Sequence, residues 1–121
     1  MSAPNLANIS TITAKSVQAA LSTTLTTEIL ANASSSGKVF KINNIIIANI
    51  DGTNAADASV AITKSGGSPI MIASTVSVPA DATLVVVDKN TALYLEEGDN
   101  IESGAGAASD LTITINYEEL S

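Results

Sequence analysis

The sequence predicts an all-β fold: an antiparallel β-sandwich of about eight short strands, with a jelly roll preferred over an immunoglobulin-like topology. Three observations predict it. Short runs rich in Val, Ile and Thr alternate apolar with polar residues along much of the chain. Clusters of Gly, Pro, Asn, Asp and Ser punctuate these runs about every 8 to 12 residues, the spacing of a sandwich or barrel. With one Phe, two Tyr and no Trp, the core must be filled by Ile, Val, Leu and Ala, which suits a thin two-sheet sandwich. The absence of Cys and Trp removes the markers of a true immunoglobulin domain without excluding a sandwich of that topology. At 121 residues the chain fits one domain, and a domain of that size buries roughly two-thirds of its unfolded surface.

Residues 1–9 are expected to be an extended N-terminal arm, and residues 10–121 a single sandwich domain. Within the arm and just beyond it, Pro4, Leu6, Ile9 and Ile12 are the candidate docking residues, because the Leu and Ile have no clear place in the sandwich alternation; a disordered tail is the alternative. In "LSTTLTTEIL", Leu21, Leu25 and Ile29 satisfy both helical and strand spacing. The density of Thr and β-branching favours strands near 10–17 and 22–30, with "NASSSG" as the following loop.

In "KVFKINNIIIANI" the even positions Phe40, Ile42, Ile46, Ala48 and Ile50 alternate against Lys41, Asn43 and Asn49, while Ile45 and Ile47 make the second side partly apolar. A long central strand is expected. "DGTNAAD" supplies residues tolerant of positive φ and is expected to be a β-hairpin connection to "ASVAITK". "SGGSP" is a turn, and "IMIASTVSV" puts Ile70, Ile72, Val76 and Val78 on one face. "PADA" is another turn before the strand "TLVVVD"; then come "TALYL", the turn "EEGDN" and a short "IES". "GAGAAS" is a loop by composition, and "LTITINYEEL" alternates Leu111, Ile113, Ile115 and Tyr117. Most strands are expected to pair with their chain neighbours.

Chemistry is constrained by what the sequence lacks. Without Cys or His there are no disulfides, thiolate or imidazole metal sites, or Cys/His nucleophile arrangements. Glu96, Glu97, Asp99 and Glu102 could gather oxygen ligands for calcium, but their spacing is not that of an EF-hand loop, and a charged turn around Gly98 is the simpler reading. Glu96 with Glu97, and Glu118 with Glu119, are paired carboxylates. Neighbours on a strand point to opposite faces, so neither pair is expected to face one substrate. "NIS" at 8–10 and "NAS" at 32–34 match the glycosylation pattern and are read as loop chemistry. No enzyme activity and no cofactor is expected.

The net charge is −7: residues 1–50 are net positive, and from 81 onward nine acids face only Lys89. An acidic chain without Arg is a poor match to phosphate backbones, so no nucleic-acid partner is expected. No window approaches the apolar length that spans a bilayer, and "MSAPNLANIS" lacks a basic region followed by an apolar run. Synthesis in a cytoplasm and no membrane partner are the expectations. Ser, Thr and Asn supply 15, 13 and 10 residues, so the polar surface is built mainly without charge.

The succession "GKVFKINNIIIANIDGTNAADASVAI", "VPADATLVVVDKNTALYLEEGDNI" and the closing "ITINYEEL" resembles small structural proteins of tailed bacteriophages, particularly those of marine cyanobacterial phages. The likeness runs over residues 37–120 and more weakly over 8–36, and no piece of it is a catalytic motif. It implies a non-enzymatic virion component that decorates or cements the outside of the capsid. The implied partner is the major capsid protein or another virion protein, and the implied assembly a homo-oligomer, with a trimer preferred. The alternatives are a neck, tail or fibre component, or a carbohydrate-binding module, for which only Tyr94 and Tyr117 offer aromatic platforms.

Overall fold

The computed structural model describes residues 4–25, 28–91 and 93–121. It is an all-β sandwich of two antiparallel sheets. The strands are β1 (Ile12–Ala20), β2 (Glu28–Ala31), β3 (Val39–Asn49), β4 (Ala56–Thr63), β5 (Ile70–Val78), β6 (Thr83–Val87), β7 (Leu93–Leu95), β8 (Asn100–Ala105) and β9 (Leu111–Leu120). One sheet has the order β1-β9-β3-β6, with β7 also pairing β3, and the other the order β2-β8-β4-β5.

The chain therefore changes sheet repeatedly. Its pairings nest: β1 with β9, β2 with β8, β3 with β6 and β7, and β4 with β5. This is the pattern of one long antiparallel ribbon, doubled back at residues 64–69 and rolled so that β9 also meets β3 and β8 also meets β4. Among the described strands only β4 and β5 pair across a single turn, which corrects the expectation that most strands pair with chain neighbours.

The Asp51-Gly52 turn is accordingly not a hairpin. β3 and β4 lie in different sheets, and the turn carries the chain across the sandwich. Turn chemistry shows where the chain bends and does not choose between pairing within one sheet and crossing to another; here burial of β4 against β8 and β5 decided it.

The alternation in β3 is also altered. A β-bulge inserts Asn43 between Ile42, which faces Tyr117, and Asn44, which faces Asn116. One extra residue exchanges the two faces. The core side becomes Phe40, Ile42, Ile45, Ile47 and Asn49, whereas Ile50, expected inward, is 61% exposed. β9 keeps the expected parity, with Leu111, Ile113, Ile115 and Tyr117 all buried. Phe40 and Tyr117 stack in tilted contact, ring centroids 5.1 Å apart, at one end of this core.

Three further segments differ from expectation. Only Glu28–Ala31 of the 22–30 region described here is strand, while Leu21 anchors a loop: its N–H donates to the Leu111 carbonyl at 2.9 Å and its side chain is buried. Residues 26 and 27 of that expectation lie outside the described residues. β8 includes the expected "IES" and runs on through Gly104 and Ala105, the first two residues of the presumed "GAGAAS" loop, and the 24–25 segment crosses over Gly104. A Cβ at that glycine would sit 3.0 Å from the Thr24 carbonyl oxygen and 3.1 Å from the Leu25 nitrogen. Within the arm expected to be extended, Leu6–Asn8 forms one 3-10 turn, capped by the Asn5 side chain accepting from the Ala7 N–H at 3.0 Å.

Candidate interaction surface

Strand pairing places the outward residues of the first sheet in rows. Ala14, Ser16, Gln18 and Ala20 of β1 stand opposite Glu118, Asn116, Thr114 and Thr112 of β9, and Asn44, Ile46 and Ala48 of β3 stand opposite Asn116, Thr114 and Thr112 on the other side. The last row is β6, where Thr83 and Val85 pair with Ala48 and Ile46. Apart from Lys41 and Glu118 at one end, these positions carry no charge. The Asn116 amide donates to Asn44 Oδ1 at 2.8 Å, holding the two side chains flat across the bulge. Such a surface offers short hydroxyls, amides and methyls, and it loses no ion hydration when covered.

The edges of the sandwich differ in character. β5 ends the second sheet and carries Ile70, Met71, Ile72 and Val76, all exposed, in a run from Ser65 to Ala80 without a charged residue. Its register slips twice. Ala58 pairs Val76, Val60 pairs Ala73 and Ala61 pairs Met71, so Ile72 is the extra residue of one bulge and Thr75 lies in the other. The expected face of Ile70, Ile72, Val76 and Val78 is thereby corrected: Ala73, not Ile72, packs against the core. Thr75 adopts φ 47°, an uncommon conformation for a β-branched residue, while its N–H donates to Ser59 Oγ at 2.9 Å. Bulges of this kind bend an edge and break the continuous ladder a foreign strand would need.

The candidate docking residues lie at the opposite rim. The N–H groups of Ser10 and Thr11 donate to the Ser121 carbonyl at 2.8 and 2.9 Å, tying the base of the arm to the end of β9. Beyond it Leu6 is 50% exposed, Pro4 and Ile9 are half-buried, and Ile12, on β1, is 62% exposed.

Of the acidic residues around Gly98, Glu96 and Asp99 meet on the Lys64 ammonium, Glu96 at 3.3 Å, while Glu97 and Glu102 turn to other donors. Asp99 is buried and is consumed by the protein's own donors: Lys64 Nζ at 2.5 Å, the Glu96 N–H at 2.8 Å and the Ser65 N–H at 3.1 Å. Its hydrogen bond raises the Lys64 ammonium above the ordinary lysine range. Glu97 accepts from the Gly37 N–H and Glu102 from the Thr63 hydroxyl. Among the described residues no three acidic side chains form a group that could hold a metal ion. Of the other pair, Glu119 turns toward Lys15 and Lys38, at 3.3 and 3.1 Å, whereas Glu118 pairs across the outer face with Ala14 and Lys41. Burial alone would raise the Glu119 carboxyl; the two lysines outweigh it and hold the group below its ordinary range.

Two buried asparagines escaped the sequence reading. Asn32 Nδ2 donates to the Lys38 and Leu95 carbonyls at 2.9 and 3.0 Å, while its Oδ1 accepts from the Ser36 hydroxyl at 2.6 Å. Asn49 Nδ2 donates to the Asn54 and Val78 carbonyls at 3.0 and 2.9 Å, and its Oδ1 accepts from the Asp51 N–H at 2.8 Å. The available signal was an Asn set between an apolar strand and a turn.

Two hollows complete the surface. One of about 190 Å³ lies between the 23–25 segment and the second sheet, beside Asp57, Ser59, Thr75 and Gly104. The other, about 340 Å³, lies over the β3 bulge, lined by Ala14, Lys15, Ser16, Asn43, Asn116 and Tyr117. In comparisons with known proteins, no family model matches the chain, and no curated protein matches it.

Proposed function

We propose that the protein is a non-enzymatic structural component of a tailed-phage virion, decorating and stabilising the outside of the capsid, and that its sandwich is a jelly roll. The strand orders β1-β9-β3-β6 and β2-β8-β4-β5, with chain crossings between the sheets, support the topology. The observation that carries the role is the outer face of the first sheet, charged only at one end by Lys41 and Glu118 and otherwise built mainly of Ser, Thr, Asn and Ala with Gln18, Ile46 and Val85, suited to lying against a protein shell, on a chain whose turns and strands resemble those of phage structural proteins. On this face the Asn116 amide is bonded to Asn44 across the bulge, which keeps both side chains in the plane of the rows.

Copy number tests the reading. Quantitative mass spectrometry of purified virions is expected to find this chain at a stoichiometry set by the capsid lattice relative to the major capsid protein. A copy number matching a single symmetry ring would place it in the neck or tail instead, and absence from particles would overturn the virion role. A carbohydrate-binding role is less favoured by the aromatics: Tyr117 is buried, leaving Tyr94, 44% exposed, without an aromatic partner on its face among the described residues.

A further inference from the structure

We infer that copies of this chain associate head to tail, the N-terminal arm of one copy covering the apolar β5 edge of the next. Ile12 sits at the rim formed by β1 and β2, with Leu6 on the arm that leads into it, and Ile70, Met71, Ile72 and Val76 at the rim formed by β5 and β6. These are opposite rims of the sandwich, so one copy presents both halves of a contact and cannot close it with its arm placed as it is: residues 10 and 11 are fixed to Ser121, and Leu6 remains half exposed.

The β5 edge leaves core-side positions open. Val78 is 1% exposed, yet Val76 and Ile70, which pair with the core-facing Ala58 and Ile62, are 37% and 60% exposed. Cover over the core side of β5 is thus complete at one end of the strand and missing at the other. The occupant must supply apolar side chains and no charge, because residues 65–80 contain no Asp, Glu or Lys. Residues 4–9 of the arm meet that requirement: they too contain none, and they carry Leu6 and Ile9. The bulges at Ile72 and Thr75 interrupt the ladder, so the contact is made by side chains over the edge rather than by a continuous added strand.

A contact between two different patches is heterologous, and it forms a closed ring if the rotation between copies closes. The inference rests on the reading above only for the shell on which such a ring would sit. Its test uses the full chain and two variants at exposed positions, L6D in the arm and I70D on the edge, each verified by an unchanged β-type circular dichroism spectrum. Light scattering after size exclusion is expected to give a multiple of the chain mass for the parent protein and the monomer mass for each variant alone. An equimolar mixture of the variants is expected to give the dimer mass, since L6D keeps an intact edge and I70D an intact arm. A monomeric parent at its solubility limit, a variant that keeps the parent's mass, or a mixture that stays monomeric would each overturn the head-to-tail contact. Binding of the same samples to particles stripped of this protein separates the two readings: a monomer that binds sinks the ring and keeps the decoration, and a ring that does not bind does the reverse.

Discussion

Asn32 and Asn49 stand directly after β2 and at the last residue of β3, and each uses its whole amide to fasten a point where the chain changes sheet. Asn32 joins the end of β2 to the start of β3 and to β7; Asn49 joins the end of β3 to the turn before β4 and to the end of β5. Both are almost fully buried. Neither bond set could be replaced by water without opening the sandwich.

Replacing Asn49 by Ala leaves the buried Val78 carbonyl without its donor and breaks the partly buried bonds to the Asn54 carbonyl and the Asp51 N–H. A loss of about 2 to 4 kcal/mol is expected, since each unsatisfied buried group costs about 1 to 3 kcal/mol and relaxation recovers part of it. Asn32→Ala is expected to cost a similar amount. Urea unfolding of both variants checks this; a loss under about 0.5 kcal/mol, the range of ordinary surface substitutions, would show that the crossovers hold themselves.

Glu119 ties the acid side of the stability curve to the Lys15 and Lys38 pair. Its carboxyl is held below the ordinary glutamate range, so the stability it contributes is complete above that range and is lost as pH falls through the lower folded value. Glu119→Gln is expected to lower stability near neutral pH by at most about 1 kcal/mol, because both lysines are partly solvated, and to leave stability in strong acid nearly unchanged. Thermal melts across the acid range read the difference; an equal loss at every pH would refute the ion-pair account.

Gly104 and Gly66 separate two reasons for a glycine. At Gly104 an added Cβ meets the backbone of the 24–25 segment, so Gly104→Ala is expected to cost about 1 to 3 kcal/mol by overpacking. Gly66 has φ 73° and open space, so Gly66→Ala is expected to cost about 1 to 2 kcal/mol from backbone conformation alone. Gly66→Asn should recover most of that cost, whereas Gly104→Asn should be worse than Ala; calorimetry of the four variants tests the pattern.

Thr75 is a place where substitution should help. Its φ of 47° is costly for a β-branched residue, and the backbone N–H that bonds Ser59 is retained in any variant except proline. Thr75→Gly is expected to raise stability by up to about 1 kcal/mol, with Thr75→Ile falling below the parent protein. A drop on Thr75→Gly in urea titrations would mean that the Thr side chain makes a compensating contact.

The fold class and most strands were legible because alternation is a local signal, as in Leu111, Ile113, Ile115 and Tyr117 of β9. What local pattern cannot carry is an insertion in the ladder. The single residue Asn43 turned Ile46 outward and Asn49 inward, and a similar slip exchanged Ile72 for Ala73 in β5. Sheet membership was equally hidden, since the Asp51-Gly52 turn looks the same whether the next strand lies beside β3 or across the core. The arm residues Leu6 and Ile12 are exposed where alternation found no place for them, while the buried roles of Asn32, Asn49 and Asp99 depend on partners far along the chain.

The position of β9 between β1 and β3 has a consequence for the order in which the molecule can form. The register runs from Ile12 opposite Leu120, so the first strand waits for the ninth before it has any neighbour in its own sheet. Pairing over such separations closes large loops before contacts reward it, which makes folding slow compared with helical chains of similar size. Among the described strands the β4–β5 hairpin is the one local place to begin. During synthesis the second sheet can assemble as far as β8, while β3 carries only the short strands β6 and β7; the centre of the first sheet is completed by β9, made after all of its neighbours.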